Sequence, residues 1–158
     1  MVAYLERMRE LGFRERLIEI ERDSWILIAA RMPDQVRAFM AIKHVQIEHE
    51  GLRRLYLDVG DLADCARNDP RLPVLADRVC AFLDAAAAES ADMEEDQPVP
   101  DDLVALLDAL FIEFFPCAPR LLELLEERGY TGWTNIRRTD SATQQRDDGS
   151  GQPAAGPS

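Results

Sequence analysis

No apolar run in this sequence approaches the roughly 18 residues that crossing a bilayer as a helix requires. Met1 to Arg9 also lack the apolar stretch of a secretory signal. Cysteine is scarce: Cys65, Cys80 and Cys117 are an odd number, spaced 15 and 37 apart, and make neither a disulfide framework nor a CxxC metal pair. They read as three ordinary semi-buried thiols. Positive charge is short as well, with 18 basic residues against 30 acidic, a formal charge of −12 and a pI near 4.6. A chain that grips phosphate backbones by itself needs net cationic surface, so direct nucleic-acid contact is not expected. Lys43 is the only lysine; every other basic residue is arginine. Together these shortages predict a soluble, cytoplasmic protein with no membrane contact.

Chemical motifs are equally thin. There is no GxSxG, no P-loop and no GxGxxG. His44 and His49 lie in KHVQIEHE, but a di-iron bundle wants Glu-x-x-His, and three residues before them stand Ala41 and Gln46. Arg37 and His44 formally fit the loose R-x(4-6)-H spacing of HEPN ribonucleases, which long helices often contain by chance. No catalytic residue, metal ligand or cofactor is assigned, and the chain is expected not to be an enzyme.

What is present is helical pattern. The chain is 47% hydrophobic and 30% charged, enough to bury a core, and strand-like alternation is absent. Phe13, Leu17, Ile20 and Leu27 recur at helical spacing within 2–31, with Gly12 as a joint. From Trp25 to Ala30 the apolarity wraps right round, a sign of burial on two sides. Pro33 closes that segment and Asp34 can cap the next. Met40, His44, Ile47, Leu55, Val59 and Leu62 then recur at helical spacing across 34–66, which predicts one helix nearly 50 Å long. A domain of this size is only about 30 Å across, so part of that helix should project. Its stripe is therefore read as the seam of a homodimer, flanked by charges in coiled-coil fashion.

Further helices are predicted over 73–90, from Asp101 to Phe115, and from Pro119 to Arg128, where Gly129 ends the last. An acidic, proline-containing connector with Asp92, Glu94, Glu95 and Asp96 separates the first two of these. From about Arg137 the composition predicts disorder. The expectation is an all-α helical bundle with one long central helix. It divides into N-terminal helices (1–32), the dimerisation helix (33–67), a helical effector-like part (68–136) and a disordered tail (137–158). Trp25, Phe111, Phe114 and Phe115 sit on helices that should pack together and are the candidates for a pocket that takes a small apolar ligand, the alternative being a filled hydrophobic core.

The stretch YLERMRELGF, Tyr4 to Phe13, resembles the junction of MerR-type transcriptional regulators. In that family a helix ending in a leucine-glycine-phenylalanine turn closes the DNA-binding domain. A short helix follows, and then a long antiparallel coiled-coil helix joins two subunits. The resemblance implies a ligand-responsive dimerisation and effector-binding portion, with the DNA-reading module lying ahead of Tyr4. Two departures stand out. Glu15 occupies a position that is usually apolar, and Cys65 has no partner at the spacing that metal-sensing members use. The other class of function compatible with the composition is a small acidic helical adaptor or immunity-type protein that covers a basic partner.

Overall fold

A computed structural model describes residues 1–89 and 99–139. These residues form seven α-helices and one two-residue strand pair: α1 (Val2–Glu10), α2 (Glu15–Arg31), α3 (Val36–Glu48), α4 (Glu50–Asp61), α5 (Leu72–Glu89), α6 (Asp101–Phe114), α7 (Ala118–Glu126), β1 (Tyr130–Thr131) and β2 (Arg137–Arg138). The fold is all-α. The acidic residues of the expected connector and all but the first three residues of the expected disordered tail lie outside the described residues. Within the part described, the tail departs from expectation at Arg137–Arg138, which pair antiparallel with Tyr130–Thr131. The Asp84 carboxylate secures that pairing by accepting from Tyr130 Oη and from Arg138.

The joint expected at Gly12 is a left-handed turn. Gly12 has φ +86° with open space where a Cβ would stand, so backbone conformation alone calls for glycine there. The Phe13 N–H reaches back to the Met8 carbonyl and closes α1, which drives the Phe13 ring into the core. Helix α2 then packs antiparallel to α6: Arg16 near its start donates to the Phe114 carbonyl, and Arg31 at its end pairs with Asp102. The two-sided burial expected from Trp25 to Ala30 is only partial, because Trp25 is buried while Ile26, Ala29 and Ala30 face solvent. Asp34 does not cap α3, whose N-cap residue is Gln35.

The single helix expected over 34–66 is broken in two. His49 has extended backbone (φ −69°, ψ 118°), and its Nδ1 accepts the Leu52 N–H at 3.3 Å, so the histidine ends α3 and caps α4. Its ring also leans edge-on against Phe82 of α5, centroids 6.1 Å apart. With the rod folded back on itself, Lys43 Nζ of α3 lies 2.6 Å from Tyr56 Oη of α4. No 50 Å rod projects.

That break corrects the expected dimer seam. Ile47, Val59 and Leu62 are buried in the chain's own core, and Met40 and Leu55 pack half-buried against it. His44 stands edge-on to Tyr4 at 5.3 Å. The stripe is the inner face of α3 and α4, and the partner it needed is the rest of the same chain. One core runs from Tyr4 of α1 to Tyr130 of β1 and draws on every helix between α1 and α7.

Candidate functional site

The aromatic residues expected to line a pocket are packed against protein instead. Phe111 and Phe115 are buried with ring centroids 4.8 Å apart. Trp133, from the turn after β1, stacks on Phe111 at 4.1 Å with the rings 4° from parallel. Asp108 holds that turn by accepting from the backbone N–H groups of Trp133 and Thr134. Phe114 is half-buried, with the Arg16 guanidinium 5.7 Å from its ring. Trp25 packs edge-on to Tyr4 at 6.2 Å, and among the described residues no ring contact joins it to the three phenylalanines. Trp25, Phe111 and Phe115 are core, Phe114 packs half-buried against it, and Trp133 covers the Phe111 ring from a turn beyond α7.

Around Tyr4 and Trp25 the fold gathers a polar cluster that periodicity did not mark. Glu21 Oε2 accepts from Tyr4 Oη and from Trp25 Nε1, each at 3.2 Å. Glu21 Oε1 lies 3.9 Å from Lys43 Nζ, with the two side chains 13% and 28% exposed. Lys43 in turn donates to Tyr56. Four helices converge here, α1 with Tyr4, α2 with Glu21 and Trp25, α3 with Lys43 and α4 with Tyr56. Burial raises the Tyr4 phenol far above its ordinary value, and the Glu21 carboxylate adds to that. Burial by itself pulls the Lys43 ammonium down, but Tyr56 and Glu21 more than offset it, so the net direction is up. A lysine held protonated is a poor nucleophile, and the cluster acts as a charge-compensated clamp between helices. The signal that could have found it was the chain's only lysine, which falls on the inner stripe of α3 between Met40 and Ile47.

The fold also brings together two of the three cysteines. Cys117 Sγ donates to the Leu62 carbonyl at 3.3 Å, and burial, then the neighbouring Cys65, pushes its thiol up to about 12. Because thiolate is the reactive form, Cys117 should resist iodoacetamide in the native protein, and Cys65 should resist it because it is buried. Half-buried Cys80, whose thiol burial also raises, should react slowly. Mass spectrometry should find at most one modified cysteine before unfolding and three after it. Rapid native modification of Cys117 would contradict the packing described.

A surface groove opens between α4 and α5. One part, about 430 Å³, is lined by Gly51, Arg54, Leu55, Asp58, Arg78 and Phe82. A second, about 360 Å³, shares Asp58 and Arg78 and continues past Leu62 and Leu75 to Arg71 and Val74. Leucine and phenylalanine side chains form its apolar lining, and charge stands along its rim. Arg78 crosses it to reach Asp58 at 2.5 Å. Gly51 keeps one end open: a Cβ there would come within 3.3 Å of His49 Cε1 and 3.5 Å of Phe82 Cε2.

No family model, curated protein or solved structure matches this chain. Among the described residues, no helix is long and apolar enough to cross a membrane, and no three His, Cys, Asp or Glu side chains are grouped to hold a metal ion. The chemistry of the site therefore has to be taken from its own residues. They supply an arginine-rimmed apolar groove between α4 and α5 and a half-buried clamp that joins α1, α2, α3 and α4.

Proposed function

We propose that this chain is the dimerising, effector-binding part of a MerR-type transcriptional regulator, non-enzymatic, and that it pairs through the outer face of α3. The resemblance carried by YLERMRELGF is supported by the turn at Leu11–Phe13, which closes α1 and directs the chain into α2.

The observation that carries the pairing is a second apolar stripe on α3. Ala38, Ala41, Ile42 and Val45 recur at spacings of three, four and seven on the side away from the core, and all four are exposed, Val45 at 73%. A helix that is apolar on two faces asks for cover on both. The ends of this stripe are self-complementary. Arg37 and Glu48 are eleven residues apart, hence about 16 Å along the axis and within about 20° around it. In an antiparallel pair of α3 helices, Arg37 of each copy then faces Glu48 of the other along the same flank. Arg37 has no hydrogen-bond or ion-pair partner among the described residues. Glu48 is steadied from within its own chain by Arg7, at 2.6 Å.

Val45→Glu places two like charges near the centre of that seam. In sedimentation the wild type should run as two chains of 17.9 kDa each, and the variant as one, with an unchanged circular dichroism spectrum. A wild type that sediments as a single chain at every concentration sinks the pairing. It would favour the acidic adaptor for a basic partner, a reading supported by the formal charge of −12.

A further inference from the structure

We infer that the α4–α5 groove is a binding site for a small organic anion, one carboxylate or sulfonate on a flat apolar body, with Arg54 receiving the anionic group. This rests on the reading of the chain as an effector-binding domain and names the ligand class and its seat.

The inference follows from the balance of charge along the groove. Three arginines and two aspartates line it, a local excess of positive charge in a chain of net charge −12. Most of these groups are already matched inside the molecule. Arg78 holds Asp58 at 2.5 Å, Asp61 is taken by Arg14 at 2.8 Å, and Arg71 is held by Asp69 at 2.8 Å. Arg54 is left, exposed and without a hydrogen-bond or ion-pair partner among the described residues. It shares the Gly51 end of the groove with Leu55 and Phe82, so one unmatched cation stands beside an aliphatic and an aromatic wall. Guanidinium pairs with carboxylate or sulfonate oxygens through two parallel N–H donors, and the Phe82 ring offers a face or edge to a flat body. The volume near 430 Å³ falls within the range of small-molecule sites, about 300–1,000 Å³. A purely apolar ligand would leave Arg54 unused, and a bare inorganic anion would leave the apolar walls unused.

Glycine at position 51 shapes the mouth of the groove. It lies in the first turn of α4, where most residues are tolerated, yet a Cβ there would crowd His49 Cε1 at 3.3 Å and fill the space up to Phe82 Cε2 at 3.5 Å. Its absence of a side chain lets the capping ring of His49 and the wall ring of Phe82 sit close together while the groove mouth stays clear.

Two fluorescent probes of one shape test this: anilinonaphthalene sulfonate, which is anionic, and phenylnaphthylamine, which is neutral. The wild type should bind the sulfonate saturably at one site per chain. Arg54→Gln should weaken sulfonate binding about tenfold or more, as expected for loss of a charge-assisted contact, and should change neutral-probe binding less than about twofold on the same scale. Gly51→Leu should abolish the binding of both, whereas Arg22→Gln, on the surface of α2, should alter neither. Thermal unfolding of each variant checks that it is folded. Equal sulfonate affinity in the wild type and a folded Arg54→Gln protein overturns the inference, as does a sulfonate signal that Gly51→Leu leaves intact. Sedimentation separates the two readings. Groove variants that fail to change affinity while the protein still runs as two chains defeat this inference alone. A single-chain mass with Arg54-dependent binding defeats only the pairing.

Discussion

Phe115→Ala should lower the free energy of unfolding by about 3–5 kcal/mol, the cost of removing a large ring from a closed core. Phe115 is only 1% exposed and stands at the corner where α6 ends. Its N–H reaches the Phe111 carbonyl at 3.0 Å, and its own carbonyl accepts from Ala118 at 2.9 Å at the start of α7. The ring therefore fills the angle between two helices whose backbones turn at that residue, and neither helix can close the gap without moving the turn. A urea titration followed by circular dichroism should show the midpoint falling with the slope unchanged. Ile112→Ala, on the exposed side of α6, should cost less than about 0.5 kcal/mol. If Phe115 instead bordered an open ligand pocket, its truncation would cost little more than the Ile112 control, and the account of this cluster as core would be wrong.

Glu21→Ala should cost about 3 kcal/mol, since it strips partners from three groups at once. Tyr4 Oη and Trp25 Nε1 would be left without their acceptor, and Lys43 without its nearest carboxylate. Glu21→Gln keeps an acceptor oxygen and loses only the charge, so it should cost less than Glu21→Ala. Adding Lys43→Met to Glu21→Ala should cost less than the two single changes together, because the second substitution removes a cation the first has already stranded. The same cluster sets an alkaline limit. Tyr4 and Lys43 both have folded values raised above their ordinary 10.0 and 10.5. Their contribution is thus complete below about pH 10. It is lost as the pH rises, because the unfolded chain then releases protons that the native state retains. Tyr130, raised by its hydrogen bond to Asp84, acts in the same direction. Cys117, whose thiol burial raises from 9.0 to about 12, acts the same way from a lower pH. The urea midpoint should therefore begin to fall near pH 9 and fall further beyond about pH 10, and Tyr4→Phe should flatten part of the later fall. A midpoint that rises with alkali would contradict the placement of these groups.

How far the sequence could be read depended on the range of the interaction that decided each feature. The helices at 2–31, 72–89, 101–114 and 118–126 follow from apolar spacing, from Gly12 and Gly129 and from Pro116, all signals that act over one or two turns. The break at His49 had no such signal, because Met40, Ile47, Leu55 and Val59 keep helical spacing straight through it. The histidine caps α4 as its ring meets Phe82, a residue 33 positions further on. For the same reason the inner stripe reads as a dimer seam from spacing alone: periodicity identifies a face that needs cover but not which chain covers it. The Phe111 cluster was recognised as aromatic, yet Trp133 closes it through a turn tied down by Asp108.

Composition and local pattern alone determined that the chain is all-helical, acidic and without a recognisable catalytic motif, because propensity, capping and charge act along the chain itself. The tertiary structure decided that the rod folds back, that Glu21, Lys43, Tyr4 and Tyr56 meet, and that Arg54 has no partner among the described residues beside an open groove. Each of these depends on side chains brought together from different helices, and a one-dimensional pattern does not encode which of its faces will meet.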